Sequence, residues 1–386
     1  MSKELGYVLI TPYTLRKSRT GGVLGRVLST TGLDLVAARM FGPSSELVKG
    51  YAELIRNEQE VRPEIRVLLS EYIEREFSPT KEGQVHRVLM LLFEGENAVQ
   101  KLRHAIGGFE DSIESADTIR GTYGDYIKDN SGKVTYFEPA VLAAPTVDIA
   151  KQTLALWAGF SEEVGGILDN AIRLADEENV EQALVIIKPD NFSFPNSRPG
   201  NIMDIFSRSG LRLVGIRVQQ MSLAQAQEFY GPVQNVLREK LGGRAVNKAC
   251  EVLKNEFNFE MPAEVREALE GTLGPAYGDD QFYNIMQYMT GLWAPDVDAD
   301  STMAEGKARS MVLVYAGDNA IEKIRDILGP TDPRKAEPGS VRKEFGTDIM
   351  VNAAHASDSA ENAQREIGIL KVGEDTITRW YNAYYS

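Results

Sequence analysis

Two stretches of the chain repeat one succession of apolar and polar positions. Each opens with a short β-rich run, Val8–Ile10 in the first and Leu184–Ile187 in the second. Apolar residues at helical spacing follow, Val23, Val27 and Leu28 in one and Ile202, Ile205 and Phe206 in the other. This spacing predicts a helix with one buried face. Gly32 and Gly210 then stop it, as helix C-termini prefer. Second strands are predicted over Leu33–Arg39 and Leu211–Val218, and further helix comes next. Third strands follow over Val88–Phe93 and Met311–Tyr315, then helices ending near Gly107 and Gly329. A long loop, a last strand and a helix complete each stretch, the helices over Val147–Trp157 and Ser359–Leu370.

The residues themselves repeat as well. Glu94-Gly95-Glu96-Asn97-Ala98 echoes Ala316-Gly317-Asp318-Asn319-Ala320, and Thr118-Ile119-Arg120 echoes Ser340-Val341-Arg342. The same elements in the same order indicate a duplicated domain rather than a short-period solenoid. The β-α-β-β-α-β order predicts an α/β (α+β) protein of two ferredoxin-like domains. Each is a four-stranded antiparallel sheet with helices packed on it. The boundary is placed near residue 175, giving domains 1–174 and 175–386, and the linker Phe160–Glu178 reads as helical. The second domain carries a charged helical insertion over about 233–280, with breaks expected at Gly242-Gly243, Pro262 and Gly274-Pro275. A second, acidic insertion runs from Trp293 to Ser310.

Composition narrows the function. A net charge of −14 disfavours a nucleic-acid or anionic-membrane binder, because phosphate backbones call for a cationic face. A single cysteine, Cys250, rules out an intrachain disulfide and a cysteine-based zinc site. It fits a reducing, cytoplasmic setting. The N-terminal run Tyr7–Ile10 is too short for a signal or a membrane span.

Chemistry concentrates in Val351-Asn352-Ala353-Ala354-His355-Ala356-Ser357-Asp358. Of three histidines, His355 alone stands among an amide, a hydroxyl and a carboxylate; His86 and His104 read as ordinary. No Gly-rich loop of the G-x-x-x-x-G-K-[ST] type exists, so cations spread along the chain must bind any phosphate. Lys188 at a strand end, Arg325 and Arg342 are the candidates, whereas Arg208, Arg212 and Arg217 read as solvated surface.

The order Arg325, Thr331, Arg342, Asn352, His355 strongly resembles the active-site segment of nucleoside diphosphate kinases. In that family a histidine takes a phosphoryl group from one nucleotide and gives it to another. The resemblance implies that His355 is the phosphoryl acceptor, that Glu366 supports its ring and that Ser357 bonds the support network or the transferring group. It implies that Lys188, Arg325, Thr331 and Arg342 meet phosphate and that Asn352 meets the sugar. Tyr230 matches the family tyrosine that precedes the base-stacking ring, which Phe282 or Tyr283 would supply. Nucleoside di- and triphosphates are the implied partners. Mg2+ would come bound through nucleotide phosphates, with no protein metal ligands. The family also implies a homo-oligomer, in which the two domains of one chain form a pseudo-dimer. Asn191 departs from the family by standing where it has a glycine.

Aligning Glu366–Leu370 with Thr153–Trp157 puts Leu142 in the place of His355 and Pro139 in that of Asn352. Thr11 stands for Lys188 and only Arg103 and Arg120 are kept, so the first domain reads as a structural partner without phosphotransfer. Two alternatives stay open in the sequence: a non-catalytic nucleotide-binding scaffold, and a phosphohistidine relay to a protein.

Overall fold

A computed structural model describes residues 3–109, 117–172, 174 and 179–386. The expected boundary near residue 175 lies outside them. The chain forms two compact units, one of residues 1–219 and 311–386, the other of residues 220–310.

The larger unit contains both expected sheets. In the N-terminal half the strands are β1 (Lys3–Ile10), β2 (Asp34–Phe41), β3 (Val88–Glu96), a side hairpin of β4 (Asp125–Lys128) and β5 (Val134–Glu138), and β6 (Val141–Leu142). In the C-terminal half they are β7 (Glu181–Ile187), β8 (Arg212–Gln220), β9 (Arg309–Gly317) and β10 (Ala354–Ala356). The sheet orders are β2-β3-β1-β6 and β10-β7-β9-β8. In each, the first and third strands of the half lie at the centre and the second and last at the edges, which is the ferredoxin-like arrangement. β1 pairs antiparallel with β3 and β6, and β7 with β9 and β10.

Burial explains why the central strands read as continuous apolar runs. Val8, Leu9 and Ile10 are fully buried, as are Leu184 to Ile187. A strand covered on both faces loses the polar alternation of an exposed one. In the N-terminal half, Trp157 packs edge-on against Phe41 and Tyr51 at ring-centroid distances of 5.0 and 5.5 Å.

The two halves meet along helices Thr20–Thr31 and Arg198–Ser207. Gly200 lies so near the facing backbone that a Cβ there would stand 2.2 Å from the Gly21 carbonyl oxygen and 2.4 Å from the Gly25 nitrogen. Only a residue without a side chain fits. Gly200→Val should lower stability by about 1–3 kcal/mol or more through forced displacement of backbone. Gly368→Ala is the control, since nothing lies within 4 Å of its added carbon. In its helix that change should be neutral or stabilise by about 0.5–1 kcal/mol. Thermal unfolding of both variants checks this, and equal melting temperatures would refute the close-packing argument.

Several expectations are corrected. Among the described residues of the linker, helical structure ends at Val164, and Gly165 and Gly166 turn the chain, Gly166 at φ 125°. Arg208 is exposed, as expected, whereas Arg217 is half-buried and donates to the backbone carbonyls of Lys371 and Glu374. Arg212 lines a cavity rather than a solvated face. The closing helix Ile377–Tyr385 packs on the first sheet, with the Tyr385 hydroxyl donating to the Leu5 carbonyl at 2.7 Å.

The smaller unit is a helical hairpin of Leu223–Phe257 and Ala263–Thr290. It is longer than expected and lacks two of the expected breaks. Gly242-Gly243 and Gly274-Pro275 lie inside helices, and the chain turns only between Asn258 and Pro262. Gly242 and Gly274 lie at a close approach of the two helices, where a Cβ on Gly242 would sit 2.6 Å from the Gly274 Cα. The glycines therefore serve contact rather than interruption. Arg238 and Asp279 join the helices by two bonds of 2.7 and 3.0 Å. Among the described residues no helix is long and apolar enough to cross a membrane.

Candidate active site

β10 sets His355 opposite Ile186 of the buried strand β7. Just before it, Ala353 takes a left-handed conformation, φ 68°, and its carbonyl accepts from the Lys188 backbone N–H at 3.0 Å. The ends of β7 and β10 are thereby fastened together, bringing Lys188 to the His355 segment. Asn191, fully buried, adds to the clamp by donating its amide to the Ala353 carbonyl at 2.9 Å and to that of Lys188 at 3.1 Å. The sequence flagged Asn191 as a departure from the family but did not reveal this role.

Four residues after His355, Ser359 caps a helix by accepting from the Asn362 N–H at 3.1 Å. The helix Ala360–Leu370 brings Glu366 back to the histidine. His355 Nε2 and Glu366 Oε2 are 3.0 Å apart, and the Ser357 hydroxyl donates to the same oxygen at 2.5 Å. Glu366 is 5% exposed. A buried carboxylate that accepts from both groups fixes the tilt and tautomer of the imidazole.

The polar groups continue from there. Lys188 Nζ donates to Asn352 Oδ1 at 2.7 Å and to the Met350 carbonyl at 3.2 Å. Asn352 donates to the Thr331 carbonyl at 3.2 Å. Arg342 donates to the carbonyls of Gly329, at 2.9 Å, and Ala354, at 3.2 Å, the latter next to the histidine. Arg325 is exposed on the helix Ala320–Leu328. A hydrogen bond from Asn362 holds Asp358 below the usual carboxylate range, with smaller help from Arg325 and His355.

Burial pushes the Lys188 ammonium down to about 8, and the neighbouring Arg342 adds to the shift. Below that pH the lysine is charged and suits a phosphate; above it the nucleotide-free protein loses the charge. Triphosphate affinity should therefore fall as pH rises through about 8. Lys188→Arg, whose guanidinium stays charged, should flatten that profile. Calorimetric titration between about pH 6.5 and 9.5 tests this, and a profile already flat in the parent would count against it. The sign for stability is opposite. Between about 8 and the ordinary lysine value of about 10.4 the unfolded chain binds the proton that the folded one has lost, so this group's contribution to stability rises with pH.

The expected residues are thus mostly assembled. His355, Glu366 and Ser357 form one hydrogen-bonded group; Lys188, Asn352 and Thr331 form another, with Arg342 joined to the strand between them. Tyr230 and Phe282 belong to the helical unit. Tyr230 is half-buried with its ring 4.8 Å from that of Phe229, and Phe282 is only 4% exposed. Tyr283, half-buried, meets Trp293 edge-on at 5.9 Å.

The N-terminal half repeats the scaffold without the chemistry. Leu142 faces Leu9 on β1, the register that His355 holds against Ile186 on β7. Ala140 is left-handed at φ 60° and its carbonyl accepts from the Thr11 N–H at 3.2 Å, matching Ala353 and Lys188. Arg120 donates to Gly107 and Val141 carbonyls as Arg342 does to Gly329 and Ala354. At the position that Thr331 holds in the other half, Phe109 lies over the Arg120 guanidinium, 3.7 Å from it. Leu142, Phe109 and Arg103 line an adjoining cavity of about 290 Å3 whose walls are largely apolar.

Fold and site together define a duplicated ferredoxin-like protein in which one half presents a carboxylate-held imidazole beside phosphate-sized cationic groups. The family model for nucleoside diphosphate kinase matches residues 4–133 and 298–374. Nucleoside diphosphate kinase from Anaeromyxobacter sp. (strain K) is 32% identical over 188 residues, 49% of this chain and 86% of the relative. Nucleoside diphosphate kinase 2 of Protochlamydia amoebophila is 29% identical over 200 residues, 52% of this chain and 97% of the relative. A solved NDP kinase from Pyrobaculum aerophilum is 26% identical, with 51% of this chain and all of that one covered and a TM-score of 0.35. The chain belongs to the nucleoside diphosphate kinase family.

Proposed function

We propose that the C-terminal half transfers the γ-phosphate of a nucleoside triphosphate to a nucleoside diphosphate through a phosphohistidine at His355. The observation that carries this reading is the His355–Glu366 pair at 3.0 Å. With Nε2 engaged by the carboxylate, the phosphoryl bond is assigned to Nδ1. In the first step Nδ1 attacks the γ-phosphorus, the N–P bond forms, and the bond to the β–γ bridging oxygen breaks. The diphosphate leaves with that electron pair. In the second step a terminal oxygen of another diphosphate attacks the same phosphorus and the N–P bond breaks. Family relationship supports nucleotides as substrates, and the same phosphohistidine passed to a protein remains the rival reading.

Lys188, Arg325, Arg342 and Thr331 are assigned to the phosphates and Asn352 to the sugar, each acting by position and charge. Ser357 and Glu366 hold the imidazole. By family resemblance the base ring is assigned to Phe282 or Tyr283, and Tyr230 to the family tyrosine that precedes it. Among the described residues no three His, Cys, Asp or Glu side chains gather as a metal cage. The donor set of cations and amides would suit nucleotide that brings its own Mg2+, which would neutralise phosphate charge. The division into copies at 174 and 175, the inactive first copy and assembly into a homo-oligomer are part of the same proposal.

The test is to incubate the chain with γ-labelled ATP and magnesium, remove nucleotide, and chase with GDP. Acid-labile label that moves to GDP supports the proposal; label that resists GDP and moves to an added protein supports the relay instead. Arg342→Ala should bind triphosphate about ten- to hundred-fold more weakly, the cost of one charge-assisted contact. Unchanged affinity would make Arg342 purely structural.

A further inference from the structure

Away from the histidine, a cavity of about 220 Å3 opens between the two halves of the larger unit. Arg16, His86 and Arg87 reach it from the N-terminal half, and Arg212 and Asp204 from the C-terminal half. Three guanidiniums thus face one carboxylate in a chain whose net charge is −14. The carboxylate is turned aside: Asp204 Oδ1 accepts from the Gly22 N–H at 3.1 Å, in the first turn of the helix Thr20–Thr31.

The cations are held there by the fold. Arg87 donates to the Leu213 carbonyl at 2.8 Å, a bond from one half to the other. Arg16 lies over the Tyr13 ring at 5.4 Å. Burial, with the like charge of Arg212 adding to it, lowers the Arg87 guanidinium to about 10. His86 is lowered chiefly by burial, with Glu76 opposing and Arg16 reinforcing the shift. Like charges collected in a polar recess repel one another, and an anion seated among them reverses the sign of that interaction.

We propose that this cavity is a second anion site, which takes inorganic phosphate or a short phosphate ester between the two halves. Its size sets the class of ligand. Pockets for drug-sized ligands span roughly 300–1,000 Å3, and this one falls below that range, so a whole nucleotide is too large. The ligand would contact residues of both halves and would therefore hold them together.

Thermal unfolding and calorimetry of the full chain with inorganic phosphate and with glycerol phosphate test the site, with chloride at equal ionic strength as control. Both phosphates should raise the melting temperature beyond the chloride effect. Arg212→Ala and Arg16→Ala should each weaken phosphate binding at least ten-fold. Arg16 is exposed and Arg212 half-buried, and changing them leaves the Arg87 bond to Leu213 in place. Arg342→Ala should lose at most the share of the response that arises at the His355 site, and should keep the share that Arg16→Ala and Arg212→Ala remove. Tighter glycerol phosphate would identify an ester as the ligand, and tighter phosphate the inorganic ion; either outcome supports the site. A response equal to that of chloride, one unchanged in Arg16→Ala and Arg212→Ala, or one lost entirely in Arg342→Ala would overturn the proposal.

Discussion

Given labelled ATP and magnesium, the His355→Ala variant should take up no label, and its nucleotide exchange should fall about 10⁴-fold or more. Removing a nucleophile eliminates the covalent route, leaving only what binding alone supplies. Nucleotide affinity should change little, because the phosphates and sugar are assigned to Lys188, Arg325, Thr331, Arg342 and Asn352. Rapid-quench labelling and calorimetry together check both halves of this expectation. Persistence of acid-labile label in the variant would move the acceptor to another residue.

Glu366→Ala should lower turnover about 10²-fold or more with a much smaller change in KM, since an imidazole with an unfixed tautomer presents the attacking nitrogen only part of the time. The same change strips the Ser357 hydroxyl of its acceptor at 2.5 Å. Glu366→Gln keeps an acceptor of similar shape and should recover part of the loss. The pH–rate profile separates positioning from mere destabilisation, because loss of the carboxylate should shift its acid limb whereas a folding defect should scale the whole curve. Parent-like turnover in Glu366→Ala would remove the carboxylate from the site.

Much of this architecture was legible in the chain itself. Continuous apolar runs at Val8–Ile10 and Leu184–Ile187 marked the central strands because both faces of those strands are covered. The spacing from Arg325 to His355 was legible for a different reason: helix, loop and strand lengths there fix which side chains converge. The alignment of Leu142 with His355, made on helix residues downstream, agrees with the pairing registers of β6 and β10.

What escaped were features set by partners distant in sequence. Gly242 and Gly274 read as breaks because a glycine's local preference is visible and its packing neighbour is not. Arg212 and His86 read as ordinary because their shared cavity joins residues from opposite halves. The closing helix Ile377–Tyr385 carries an apolar face, but nothing in its periodicity says that Tyr385 ends against Leu5.

The matched grip of Arg120 and Arg342 on equivalent carbonyls gives the molecule an internal control. Each guanidinium ties a loop to its edge strand, but only one stands beside a histidine. The stability lost in Arg120→Ala measures this mechanical part together with the Phe109 contact, which Arg120→Lys helps to separate. Subtracting it from the effect of Arg342→Ala isolates what the same side chain contributes to ligand recognition, provided the two distant sites behave additively. On the proposed reading, duplication has left an arginine that meets ligand and an architectural twin within one polypeptide.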